Sequence, residues 1–142
     1  MPVAFPRFHD IYSEAGVHTS WGRIPDEDGG TFTRTLCRSL ESRAPLVQIA
    51  TWNDWGEGTM IEPSQEFGYR DLEAVQRLRR EFVDPQFPYQ ADNLRLPYRL
   101  YSLRRRQSQQ PLLKSELDKI AHLLATGALT EAESLLAQLE ES

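Results

Sequence analysis

The chain has 142 residues, the length of one ordinary domain with room for a small appendage. Its 39% hydrophobic and 26% charged content fits a globular protein, and its net charge of −5 argues against a general nucleic-acid binder, which carries a basic surplus. No apolar run approaches the ~20 residues of a membrane span, and the amino terminus lacks the charged-then-apolar layout of a signal peptide, so the compartment stays open.

Pro2 to Phe8 is apolar and proline-punctuated and reads as a short strand, with Arg7-Phe8-His9-Asp10-Ile11-Tyr12 where that strand ends. Ser13 to Gly30, rich in Gly, Ser, Asp and Pro, reads as a long loop of the kind that often carries function. Its Trp21 is either a hydrophobic plug beneath the loop or a substrate platform. Thr31 to Ser42 places Phe32, Leu36 and Leu40 on one helical face, after the Gly29-Gly30 turn and before Pro45. Cys37 on this helix is the only cysteine, which excludes an intrachain disulfide, and it reads as a small buried side chain.

Leu46 to Ala50 is a short apolar run that reads as a buried strand. Arg70 to Phe82 is helical again, with Leu72, Val75, Leu78 and Phe82 on one side and Glu73, Gln76, Arg77, Arg79 and Arg80 on the other. Residues 2–82 thus form two β/α units, whose strands should run parallel. A proline-rich connector follows at 84–89, then a helix over 97–107 ending in Arg104-Arg105-Arg106, a solvated cap that complements the helix dipole. Residues 111–141 read as a helical hairpin. Leu113, Leu117, Ile120 and Leu124 line its first helix, and Ala132, Leu135, Leu136 and Leu139 its second. Thr126-Gly127 breaks the two, and Thr130 with Glu133 predicts a capping box. One such hairpin cannot bury its own face, so it should dock on the first part of the chain or on a partner.

The chemistry concentrates in the segment after the second strand, T-W-N-D-W-G-E-G-T-M-I-E-P over residues 51–63. Asp54 and Glu57 are two carboxylates just beyond a strand's carboxyl end, where α/β proteins present their active groups. Glycoside hydrolysis needs such a pair, one acid to protonate the leaving oxygen and a second as base or nucleophile. Trp52 and Trp55 can stack on the apolar face of a pyranose, Asn53 can bind a hydroxyl, and Glu62 is a third carboxylate at the rim. Gly56 and Gly58 would let the backbone turn both acids into one cavity. The alternative is that both tryptophans are core and both acids solvated turn residues. His9 and Asp10, at the end of the first strand, complete the candidate substrate-binding set. His9, His18 and His122 lack metal-ligand spacing, so neither metal nor cofactor is expected.

Gly30 through Pro63 resembles glycoside hydrolases of family 99 and their family 71-like relatives, which carry a segment close to W-N-E-W-H-E-G-T-Q-I-E-P on the last barrel strand and its loop. Weaker similarity reaches from about Pro2 to Phe82. The resemblance implies an α/β fold, the last two units of a (β/α)8 barrel over residues 1–90, with a helical extension over 91–142. It implies a retaining, endo-acting hydrolase of α-linked polysaccharide. Glu57 would be the general acid/base, and Asp54 would assist the sugar's 2-hydroxyl. Asp54 is one methylene shorter than the family's Glu, and Gly56 stands where the family has His. Both departures move the sequence towards bacterial relatives described as polysaccharide-biosynthesis glycosyltransferases. A non-catalytic glycan-binding or interaction protein is the competing reading. A full barrel needs about 250 residues, so the expectation is a fragment of a longer enzyme, completed by the rest of the barrel or by another chain and inactive alone. A decayed gene product is a further reading.

Overall fold

A computed structural model describes residues 1–106 and 111–141, with side chains described from Leu113 onward in the second stretch. The protein is mixed α/β, rich in helix and poor in strand. It divides into two compact units, Met1–Pro88 and Tyr89–Ser142.

In the first unit, β1 (Val3–Ala4) pairs in parallel with β4 (Gln48–Ile49), Val3 opposite Gln48 and Ala4 opposite Ile49. Between them in sequence runs α2 (Gly30–Glu41), and after them α3 (Arg70–Phe82). The two helices pack on each other, and α2 also packs on β1. Phe32, Leu36 and Leu78 from the helices close over Ala4 and Ile61, with Leu40, Val47, Ile49, Leu72 and Val75 partly buried around them. The periodicity of the two helices thus does what it predicts, with two exceptions. Phe82 remains 39% exposed, and Gln76, expected on the solvent side, is buried.

Both strands are shorter than the sequence suggests. Leu46 lies 70% exposed and Gln48 is exposed, so the 46–50 run is not a buried strand throughout. The physical reason is the lack of neighbours: among the described residues, β1 is the sole strand paired with β4. The 13–30 stretch is less loop-like than expected. A one-turn helix, α1 (Ile11–Glu14), is capped by Asp10, and β3 (Arg23–Ile24) pairs antiparallel with β2 (Phe8–His9). β-branched Ile24 opposite Phe8 supplies the cross-strand contact that composition alone concealed.

The second unit holds a short 3-10 turn (Ala91–Arg95), α4 (Leu96–Arg106), α5 (Pro111–Thr126) and α6 (Leu129–Glu140). The three helices pack mutually. Leu96, Leu100 and Leu103 of α4 meet Leu117 and Ile120 of α5 and Ala132 and Leu136 of α6 in one core. So α4 supplies the apolar cover that the hairpin needs. The predicted capping box does not form. Helix α6 begins at Leu129 with Ala128 as its cap residue and no side-chain cap bond, which places Thr130 inside the first turn. Leu129 packs on the core, and that burial draws the helix start back past the local cap signal. Arg104 to Arg106 are exposed, and Arg104 reaches across to Asp118 at 2.6 Å.

Candidate functional site

Residues 51–62 fold back on themselves into a compact loop. Thr51 N–H donates to the Thr59 carbonyl at 2.9 Å, Ile61 N–H to the Thr51 carbonyl at 3.2 Å and Glu62 N–H to the Trp52 carbonyl at 2.9 Å. The hydroxyls of Thr51 and Thr59 bond each other at 2.9 Å. Within this frame Asp54 Oδ1 accepts the Glu57 N–H at 3.0 Å, the local turn an Asx residue favours. Asp54 is therefore tethered through one oxygen. The Glu57 carboxylate takes no hydrogen bond from the described residues, and its side chain is half-buried. The two acids thus stand in different situations although they lie three residues apart.

The loop is held on the segment that ends the first strand. His9 N–H donates to the Glu57 carbonyl at 2.8 Å and Ile11 N–H to the Gly56 carbonyl at 3.1 Å. The glycines serve this docking in two different ways. Gly58 adopts φ +65°, the left-handed region that a β-carbon disfavours. Gly56 has no such need; a β-carbon there would collide with the Tyr12 ring, which lies against it. The sequence singled out Gly56 for backbone freedom, and its role is space.

Neither tryptophan of the loop is core. Trp52 is 53% and Trp55 47% exposed, so the reading that buries them is overturned. Trp55 Nε1–H donates to Glu62 at 2.6 Å, which fixes the ring by its edge and leaves Glu62 occupied as an acceptor. Asn53 is exposed. An open cavity of about 410 Å³ is walled by His9, Arg23, Ile24, Trp55, Glu66 and Phe67, among others, a size within the range of small-ligand pockets. Asp54 and Glu57 are not among its walls.

His9 and Asp10 are brought to the site differently from each other. His9 bonds Glu14 through Nε2 at 2.6 Å and lines the cavity. Asp10 is buried and serves the protein itself, accepting N–H bonds from Ser13 at 3.1 Å and Trp21 at 3.2 Å. Trp21 is no plug: it is 70% exposed. Cys37 is half-buried, and burial, followed by the charges of Glu81 and Glu41, pushes its thiol pKa up, away from a reactive thiolate. Among the described residues, no group of three His, Cys, Asp or Glu side chains could hold a metal ion, and no helix is long and apolar enough to cross a membrane.

The residues that sequence reasoning missed lie beneath the loop. Buried Arg7 donates from Nη1 to the carbonyls of Met60 at 2.9 Å and Gly58 at 3.4 Å, from Nε to Asp26 at 3.0 Å, and from Nη2 to Asp71. Arg70 grips Asp26 with both Nη atoms, at 2.8 and 2.7 Å, and reaches Asp71 at 3.1 Å. Both guanidinium groups lie over the Phe67 ring, at 3.7 and 5.0 Å. Burial would raise the Asp26 pKa, but the hydrogen bonds and charges of Arg70 and Arg7 outweigh it and hold this carboxyl below its ordinary value. The signal was an arginine set between Pro6 and Phe8 in an apolar run, since a charge there needs a buried partner.

Residues 30–75, about a third of the chain, match the family model described as glycosyltransferase WbsX. No curated protein and no solved structure matches significantly. The matched span contains α2, β4, the acidic loop and the first turns of α3, and it associates this region with carbohydrate-active proteins.

Proposed function

We propose that this chain carries the acid edge of a carbohydrate-active enzyme, a retaining and endo-acting hydrolase of α-linked polysaccharide. The parallel β1–β4 pair would be two neighbouring strands of a (β/α)8 barrel whose other units complete the pocket. Glu57 would act as general acid/base at the glycosidic oxygen. Asp54 would present its second carboxylate oxygen to the sugar's 2-hydroxyl. Trp52 and Trp55 would stack on sugar faces, with Asn53, Glu62, His9 and Asp10 shaping the rim directly or through the residues they hold.

The observation that carries this reading is the difference between the two acids of the matched loop. Asp54 is anchored by the turn it closes, whereas Glu57 is held by its backbone and free at its carboxylate. A proton-transfer group needs that combination of fixed position and unoccupied oxygens. Exposed tryptophans beside it give a sugar somewhere to lie.

The family description favours one second reading, transfer of a sugar in polysaccharide synthesis. One experiment separates the two. The protein carrying this chain is assayed on α-mannan and α-glucan oligosaccharides, and separately with nucleotide-sugar donors. The hydrolase reading expects shortened oligosaccharides with the anomeric configuration retained, and a loss of roughly 10²–10⁴-fold in Glu57→Gln. Undiminished turnover in that variant removes Glu57 from the mechanism, and donor consumption with chain growth selects the transferase.

A further inference from the structure

The segment that seats the acidic loop also seats an aromatic side chain that neither the loop nor the core uses. Asp10 lies between His9 and Ile11, the two residues whose N–H groups hold the carbonyls of Glu57 and Gly56. Its carboxylate, itself almost wholly buried, accepts the Trp21 backbone N–H at 3.2 Å and faces His18 Nε2 at 3.5 Å. His18 is fixed in turn, its Nδ1 bonding the Thr19 carbonyl at 2.8 Å. The Trp21 ring stacks on this imidazole, with centroids 4.3 Å apart and planes 21° from parallel. One face of the indole is therefore backed and oriented, and the side chain as a whole is 70% exposed.

A large apolar ring left in water costs the protein favourable burial, and a ring held in one orientation also forfeits rotamer freedom. Both costs are recovered when a flat ligand covers the ring. We propose that Trp21, backed by His18 and anchored through Asp10, is a second saccharide platform that binds sugar units of the same glycan beyond those at the acidic loop. The proposal rests on the glycan-active reading of that loop. Tyr12, half exposed, lies against Gly56, and its carbonyl accepts the Val17 N–H at 3.0 Å, which ties the stretch leading to Trp21 to the loop. The immediate chain neighbours supply polar groups for a sugar. Ser20 and Thr19 beside Trp21 are exposed and polar, which suits the hydroxyls that rim a pyranose face.

The test is calorimetric titration of the protein in its Glu57→Gln form, which holds substrate without turning it over, with α-mannan and α-glucan oligosaccharides of two to six units. Trp21→Ala is expected to weaken the longest oligosaccharide bound by about tenfold and to leave the disaccharide unchanged. Trp21→Phe, which keeps a flat ring, should recover most of the loss. Trp55→Ala should weaken both lengths, because Trp55 belongs to the acidic loop. Equal affinities for Trp21→Ala and its parent at every length overturn the platform and leave the loop reading standing. Equal weakening at all lengths also overturns it, since Trp21 would then belong to the first subsite or to the fold. A normal response in Trp55→Ala overturns the loop reading, and with it the idea of one continuous site. Binding of neither series, with self-association that Trp21→Ala abolishes, overturns both and assigns the ring to a contact with a second copy.

Discussion

The two units of this protein solve the same problem with opposite materials. The second unit, Tyr89–Ser142, is built on leucine: seven buried apolar residues from three helices form one cluster, and its ion pairs lie towards solvent. The first unit, Met1–Pro88, has a core cluster of five buried apolar residues, one of them alanine, and fastens its acidic loop from below with buried charge. An apolar core stabilises without direction, since burial is proportional to area. The Arg7–Asp26–Arg70–Asp71 network is directional, and two of its bonds end on the Gly58 and Met60 carbonyls within the loop that carries Glu57. The second unit thus rests mostly on apolar burial, whereas the first adds a buried ionic network beneath the loop that carries Glu57.

That contrast can be broken most directly at Arg7. In Arg7→Met, Asp71, which is 4% exposed, loses one of its two guanidinium partners and keeps Arg70 at 3.1 Å, so the cost should fall at the low end of that for breaking a buried pair, about 3 kcal/mol. All three tryptophans, at 21, 52 and 55, belong to the first unit, so their fluorescence during denaturant unfolding reads that unit. A midpoint close to wild type would show that the network is ornamental. In the second unit the matching test removes apolar volume. Ile120→Ala, at a position with no exposure, should cost roughly 3 kcal/mol through lost transfer energy and the cavity it leaves, read as a lower midpoint in the 222 nm helix signal.

Acid probes the same buried network in the first unit. The Asp26 pKa is lowered in the folded protein, so its contribution is present above the unfolded value of about 3.9 and is lost as pH falls through the lower folded value. The tryptophan-monitored stability is therefore expected to drop below about pH 4, and Asp26→Asn should flatten that part of the profile at the expense of stability near neutrality. A profile identical to wild type in the asparagine variant would mean that the Arg70 fork does not stabilise the carboxylate.

Much of the helical frame was legible because it is local. Phe32, Leu36, Leu78, Leu117, Ile120 and Leu136 all recur at helical spacing, and the side chains that share a face lie within a few turns of one another. The acidic loop was legible for another reason, the density of Trp, Asp, Glu and Gly in seven residues. What could not be read depends on distant partners. Arg7 meets Asp26 across 19 positions and Asp71 across 64, and no window along the chain joins them. Gln76 reads as a solvent-side residue, yet the buried face of its helix is wider than the apolar stripe and takes in both Gln76 and Asp71. Trp21 was ambiguous until its neighbour was known, because composition cannot distinguish a ring stacked on His18 in solvent from one packed under a loop. The role of Gly56 was hidden likewise, since the ring that needs its space comes from Tyr12, far back in the chain.

The second unit carries an arginine fork of similar geometry but far less burial. Arg99 holds Glu140 with Nε at 3.0 Å and Nη2 at 2.7 Å, a two-pronged bond as well formed as those under the acidic loop. The Arg99 hydrogen bond, opposed by the modest burial and aided by the charges of Arg99 and Arg106, lowers the Glu140 pKa. Both side chains nevertheless remain a little under a third exposed, so water competes for each partner and salt screens the attraction. Arg99→Gln should cost about 0.5 kcal/mol, and raising the salt concentration to 1 M should remove most of the difference between variant and wild type. Arg7→Met, read by tryptophan fluorescence under the same two conditions, should keep most of its deficit, because a buried pair is little screened. If salt erased both deficits alike, burial would not be what distinguishes the two arginines, and the directional role assigned to Arg7 would lose its physical basis.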